Sequence, residues 1–314
     1  MAFGNRDQES IPLVVICGPT ASGKTALSLE LAASREIEII SADSRQVYRG
    51  MDIGTAKATP AERRLVPHHL LDVITPDEAF SVADFVRLGR QAAVEVWRRG
   101  HLPVVVGGTG LYLRGLTEGL TPAPGADPEL RRRLLAAEEE SGPGTLHRRL
   151  QDVDPALAER LSPRDLVRIV RGLEVFSLAD RPLSAFQQDH GFADTPFRVL
   201  HLGVTAARED LYQRIDARVE QMLAAGLLDE IRALLARGFA PELKAMQTIG
   251  YREGVRHLRG ELGYTETVAL IQQETRRYAK RQMTWFRKEK SIIWVDSLRG
   301  SDKIQPLIDQ FYVA

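Results

Sequence analysis

Residues 18–25 read GPTASGKT, directly after the apolar run IPLVVIC and directly before the helical pattern TALSLELAAS. Gly18, Gly23, Lys24 and Thr25 fit G-x-x-x-x-G-K-[ST], and the strand before and helix after supply the context that this motif requires. Such a loop turns successive backbone N–H groups inward at a helix N-terminus, and so builds an anion cradle. Pro19, Thr20, Ala21 and Ser22 complete the loop, Lys24 supplies a charge, and Thr25 supplies a hydroxyl for Mg²⁺. The motif points to a strand–loop–helix unit of a parallel sheet and to a bound diphosphate.

The rest of the chain fits that frame. Short apolar runs recur at 13–17 (LVVIC), 36–42 (EIEIISA) and 102–108 (LPVVVGG), with helical sequence between them, the second helical stretch ending at Gly100. Strands that alternate with helices imply an α/β fold with a P-loop NTPase-like parallel sheet. At 121–130, TPAPGADPEL changes the register, and charged helical sequence without a strand follows to about residue 190. This predicts an inserted all-helical subdomain at 121–195, within a core formed by 1–120 and 196–314. FRVLHLGV (197–204) returns the chain to the sheet, helices follow to about 290, and SIIWVDS reads as a last short strand.

With 314 residues, 44% hydrophobic and 27% charged, the chain reads as an ordinary globular protein. The 42 basic and 42 acidic residues cancel, so any polyanion site must come from local clustering. The single cysteine, Cys17, excludes an intramolecular disulfide and a cysteine-built zinc site. The apolar run of seven residues is far below the ~18 of a membrane span. A cytoplasmic chain with no membrane association is expected, and a monomer.

Phosphoryl-transfer enzymes with this loop carry a Walker-B Asp at the end of an apolar strand to hold Mg²⁺. Here the corresponding strand ends VVVGGTG, with Gly and Thr in that place. Asp43, after EIEIISA, is the acidic residue that ends an early strand; it suits magnesium, an acceptor to be activated, or a plain turn. In LYQRIDARVEQML the apolar stripe is Leu211, Ile215, Val219 and Met222. Arg218 falls about 20° from Leu211 on that stripe. A guanidinium so placed needs an anion: an internal carboxylate, or the diphosphate. The adjacent His68 and His69 share no helix face and have no thiol partners, so a structural role is expected for them. Trp285 and Phe286 read as core.

Several stretches together resemble one family, the tRNA dimethylallyltransferases, also called tRNA isopentenyltransferases. They are GPTASGKT, SADSRQVYRGMDIGTAK (41–57), PHHLLD (67–72), VVVGGTGLYLRGL (104–116), IGYRE (249–253) and TRRYAKRQMTWFR (275–287), in family order over nearly the whole chain. The resemblance implies transfer of a dimethylallyl group from dimethylallyl diphosphate to N6 of the adenine just 3′ of certain tRNA anticodons. Diphosphate is then the leaving group, which accounts for the missing Walker-B carboxylate. It implies Asp43 as the base, Thr109 at the reaction centre, and Lys24, Arg218 and Mg²⁺ on Thr25 neutralising the leaving group.

The target base must be extruded to react. Asp43, Ser44, Arg45, Gln46 and Thr109 are expected beside it. Arg131, Arg168 and Arg171, the stretch Gln247, Thr248, Ile249, Gly250, Tyr251 and Arg252, and Arg276, Arg277, Tyr278, Lys280 and Arg281 are expected to contact the anticodon stem-loop. The chain departs from the family's usual pattern at Ser162 (commonly Asn), Gly172 (Ala) and Asp180 (Gly). An adenylate isopentenyltransferase, which acts on a free nucleotide, is the alternative; the helical insertion and basic C-terminal helix count against it. A nucleotide hydrolase or kinase lacks its carboxylate, and a non-catalytic RNA-binding module leaves the loop and Asp43 unexplained.

Overall fold

A computed structural model describes residues 10–190, 196–296 and 300–313. The chain divides into two compact units, Met1–Thr117 with Pro196–Ala314, and Glu118–Thr195.

The first unit is built on a six-stranded sheet in the order β3-β2-β4-β1-β5-β6, every pairing parallel. Its strands are β1 (Ile11–Cys17), β2 (Ile37–Ala42), β3 (His68–His69), β4 (Leu102–Gly107), β5 (Phe197–Thr205) and β6 (Ile293–Asp296). β1, β2 and β4 are buried almost throughout, which is why they read as continuous apolar runs. Val14, Ile16, Ile39, Val104 and Leu202 pack with Leu27 and Leu31 of α1 (Lys24–Ser34) and with Ile304 and Ile308 of the last helix, Gly300–Val313. Alternation turns Leu13, Val15, Ile40 and Val105 to the other face. There Val82–Arg98 forms α3, packed on β1, β2 and β4 and started by a capping box between Ser81 and Asp84.

The two-residue β3 was not expected, because so short a strand leaves no periodicity. It gives the histidines structural partners: His68 Nδ1 lies 2.9 Å from the Val66 carbonyl and His69 Nε2 lies 2.6 Å from Glu38. Between β1 and β5 the chain also forms α2 (Pro60–Leu65) and α4 (Gly110–Glu118). After β5 come α10 (Arg208–Ala224), α11 (Leu227–Ala236), α12 (Tyr251–Leu258) and α13 (Tyr264–Phe286). Phe286 is buried, as expected; Trp285 is half-buried and lies over the start of α4.

The second unit is all helix: α5 (Pro128–Ser141), α6 (Thr145–Val153), α7 (Pro155–Ala158), α8 (Leu166–Ala179) and α9 (Leu183–His190). Leu146, Leu150, Leu157, Ile169, Val170 and Leu173 form its core. Buried carboxylates tie the helix ends together. Asp154 accepts the N–H groups of Leu157 (3.1 Å) and Ser184 (2.9 Å), and Glu138 accepts those of Gly144 (2.6 Å) and Leu146 (2.7 Å). Gly172 is where Leu150 and Leu157 approach α8, and Asp180 is its left-handed C-cap at φ +50°.

Candidate active site

The loop 18–23 leaves the C-terminal end of β1, and two glycines set its path. Gly18 has φ +145°, and a Cβ there would lie 2.4 Å from the Val204 carbonyl on the neighbouring β5. Gly23, at φ +96°, is the left-handed N-cap of α1. Inside the turn, Ser22 Oγ is fully buried with no hydrogen-bond partner among the described residues. Lys24 Nζ donates to the Pro19 carbonyl at 2.7 Å. Burial, and then the nearby Arg218 charge, push the Lys24 ammonium down to about 8. An orphaned hydroxyl and a cation weakened by a second cation fit an anion.

The next two strand ends face this loop. Asp43 follows β2, and its Oδ1 accepts the Arg45 N–H at 2.8 Å. Thr109 follows β4; its N–H donates to the Ala42 carbonyl (3.3 Å) and its Oγ1 accepts the Ser44 N–H (3.2 Å). Tyr278 of α13 lies beside the Thr109 side chain, and its phenol is pushed up to about 12 by burial and then by the Asp43 charge. β4 ends in Gly107, Gly108 and Thr109, with no carboxylate. Arg218 of α10 forms no ion pair among the described residues; burial lowers its proton affinity, and the charge that opposes this is Asp43. No carboxylate among the described residues is bonded to Arg218, and Asp43 acts on it only through its charge.

Thr20, Ala21, Gly23, Lys24, Thr25, Asp43, Gln46, Gly108, Arg218, Tyr278 and Gln282 line a pocket of about 1060 Å³, room for a diphosphate and a base together. Among the described residues no group of three or more His, Cys, Asp or Glu could hold a metal ion. The Thr25 hydroxyl in the first turn of α1 nevertheless suits an ion held mainly by diphosphate oxygens and water, the usual manner of Mg²⁺. The residues present therefore fit such an ion.

The "IPP transferase" family model matches residues 46–289, and the "Isopentenyl transferase" model matches 11–72. The tRNA dimethylallyltransferase 1 of Syntrophotalea carbinolica is 57% identical over 314 residues, covering all of both chains. That of Geobacter metallireducens is 53% identical, covering 98% of this chain and 99% of its own. The crystal structure of a tRNA isopentenylpyrophosphate transferase from Bacillus halodurans superposes with TM-score 0.70 at 40% identity, over 96% of this chain and 95% of that one. A eukaryotic dimethylallyltransferase captured acting on tRNA gives TM-score 0.79 at 30% identity, over 92% and 74%. The chain belongs to the tRNA dimethylallyltransferase family.

For a member of this family, the residues expected at RNA differ in their surroundings. Lys280 and Arg281 are exposed, as are Arg168 and Arg277, which pair with Asp165 (3.4 Å) and Glu274 (2.5 Å), each three residues earlier in the chain. Arg45 is half-buried, and among the described residues its side chain reaches the Lys244 carbonyl at 3.4 Å. Others are engaged within the protein. Arg131 grips buried Glu174 through two hydrogen bonds (2.8 and 2.9 Å), and Arg171 bonds Glu174 (2.6 Å) and the Pro124 carbonyl (2.6 Å). Arg276 pairs with Asp216, and Arg252 with Glu253. Gln46 accepts from Ser41 (2.9 Å) and donates to the carbonyls of Thr55 and Ala56 (3.2 Å each), so its amide holds the 55–56 turn.

In the 247–252 stretch, Gln247 is exposed, donating to the Pro241 carbonyl at 2.8 Å, and Ile249 is half-buried. Thr248, Gly250 and Tyr251, also expected at RNA, are buried. Tyr251 donates to Glu230 at 2.6 Å. Glu230 also accepts the successive N–H groups of Asp52 (2.8 Å), Ile53 (2.8 Å) and Gly54 (3.2 Å), a nest that shapes one wall of the pocket. The sequence reading missed Glu230 and Gln282, because each acts through backbone groups far away in the chain.

Proposed function

We propose that the chain transfers a dimethylallyl group from dimethylallyl diphosphate to N6 of the adenine just 3′ of the anticodon in tRNA, releasing diphosphate. The observation that carries this is the pairing of two cations, Lys24 and Arg218, neither bonded to a carboxylate among the described residues, with Asp43 and Thr109 on the adjacent strand ends, where a phosphoryl-transfer enzyme would carry its metal-binding Asp. The diphosphate sits in the loop 18–25, its charge met by the loop N–H groups, Lys24, Arg218 and the Ser22 and Thr25 hydroxyls. Thr25 would hold magnesium, which would supply Lewis-acid neutralisation of the diphosphate charge.

The acceptor base enters flipped from its stack. Asp43 accepts a proton from N6, and the N6 lone pair forms the new bond to the allylic carbon as its bond to the diphosphate oxygen breaks. The electron pair leaves with diphosphate, where Lys24 and Arg218 meet it. Thr109 Oγ, held by the Ser44 N–H, orients the acceptor beside Asp43. The exposed cations of α13 and Arg168 of α8 supply phosphate contacts to the anticodon stem-loop. We assign the reaction to the cytoplasm and to a monomer; no helix among the described residues is long and apolar enough to cross a membrane.

The test is incubation with Mg²⁺, isotopically labelled dimethylallyl diphosphate and either AMP or a tRNA with adenines following its anticodon. Label in tRNA is the expected result; label in AMP selects the adenylate enzyme, and label in neither overturns prenyl transfer.

A further inference from the structure

α13 meets the turn between β4 and α4 with a stripe of three side chains. Tyr278, Gln282 and Trp285 fall within about 60° of one another on a helix of 3.6 residues per turn. Tyr278 lies beside Thr109. Gln282 Nε2 donates to the Gly108 carbonyl at 2.9 Å. Trp285 lies over Gly110, where a Cβ would come within 2.3 Å of its ring.

Gln282 reaches further than the other two, because its Oε1 also accepts the Thr20 N–H at 2.9 Å. One amide therefore joins the diphosphate loop after β1 to the turn after β4. The ladder between these strands ends at Cys17 and Gly107, so beyond that point the two loops need another tie. The orientation of the amide is forced, since the Thr20 N–H can only donate and the Gly108 carbonyl only accept. Gln282 is 7% exposed, so water does not replace either bond when it is lost. Gly108 is part of the fit: a Cβ there would lie 2.2 Å from Gln282 Nε2.

We infer that Gln282 is a positioning residue for prenyl transfer, which sets the distance between the loop that holds the diphosphate and the turn that carries Thr109. The inference rests on the proposed reaction. Gln282 acts through Thr20 and Gly108, and what it controls is the alignment of the allylic carbon with the acceptor nitrogen. Misplacement of reacting groups by about 1 Å costs on the order of a hundredfold in rate.

Two variants test this. Gln282→Met removes both bonds at nearly constant volume. Gln282→Glu keeps the acceptor for Thr20 but sets a carboxylate against the Gly108 carbonyl; when protonated, that side chain regains the missing donor. Single-turnover transfer at saturating donor and tRNA should fall about 10- to 100-fold in Gln282→Met, with KM for the donor and Kd for tRNA within about threefold of wild type. The rate of Gln282→Glu relative to wild type should climb at least about fivefold as pH falls from about 9 to about 6, while the ratio for Gln282→Met stays flat. Variants that turn over like wild type overturn the inference. So does a loss confined to KM or to thermal stability with no pH dependence in the glutamate variant. A wild type that transfers no label would overturn the reaction itself and the inference with it, an outcome distinct from active wild type beside equally active variants.

Discussion

Arg218 is a cation with no carboxylate bonded to it among the described residues, placed where it lowers the proton affinity of Lys24. A fold tolerates such an arrangement only at a cost. Arg218→Met keeps the packing of the stem on α10 and removes the charge. Without ligand, the variant should be more stable than wild type by on the order of 1–2 kcal/mol, about 2–4 °C in unfolding midpoint. With ligand the sign reverses. Wild type at pyrophosphate a hundredfold above its Kd gains about 2.7 kcal/mol. If loss of a charge-assisted contact weakens binding about a hundredfold, the variant at that concentration gains only about 0.4 kcal/mol. Transfer should fall roughly 10²–10³-fold.

The pH dependence follows the same logic. Lys24 titrates at about 8 in the fold against 10.5 ordinarily, so between these values the unfolded chain binds more protons and ligand-free stability rises with pH. That rise should be shallower in Arg218→Met. Urea unfolding with and without pyrophosphate and Mg²⁺, at several pH values, reads every part of this. A variant that is less stable without ligand, or that pyrophosphate stabilises as much as wild type, would refute the reasoning.

Asp43→Ala should lower transfer by at least about 10²–10⁴-fold while tRNA binding by filter retention persists; wild-type turnover would remove Asp43 from the base role. Glu38 is 3% exposed. Burial would raise its carboxyl, but hydrogen bonds from Arg99, His69 and His101 outweigh burial and hold it at about 2. Its contribution, on the order of 3 kcal/mol, is therefore complete above about pH 4.5 and disappears as pH falls towards 2. Glu38→Gln should flatten acid unfolding in that window, and an unchanged acid midpoint would count against it. Asp180 holds a left-handed C-cap at φ +50°. Asp180→Gly should stabilise the helical unit by about 0.5–1 kcal/mol in thermal unfolding, and a loss of stability would contradict the strain argument.

The parts of this protein legible in its sequence were those written in local pattern. β1, β2 and β4 are buried on both faces, so each reads as an unbroken apolar run. The loop 18–25 needs its glycines for reasons visible within eight residues, apart from the approach of Val204 to Gly18. The basic residues were the hardest to read. Arg131 and Arg276 look on the sequence like the exposed Lys280 and Arg281, yet each is spent on a distant carboxylate, with Glu174 43 residues from Arg131 and Asp216 60 residues from Arg276. No local pattern distinguishes a guanidinium that awaits an external phosphate from one already paired within the fold.

The same blindness hid the supports of the site, and for the same reason. Glu230 meets the N–H groups of Asp52, Ile53 and Gly54, and Gln282 meets Thr20 and Gly108, across up to 262 residues of chain. A phosphate loop taken alone names its ligand only as an anion. What decides between moving a phosphoryl group and discarding a diphosphate is the neighbouring strand end, where β4 offers Thr109 in place of a carboxylate and β2 offers Asp43. That comparison could be made from the sequence, because strand ends in a parallel sheet share one edge. The alignment of those ends, on which the rate depends, is set by α13 from the far end of the chain, and only the folded structure brings it into view.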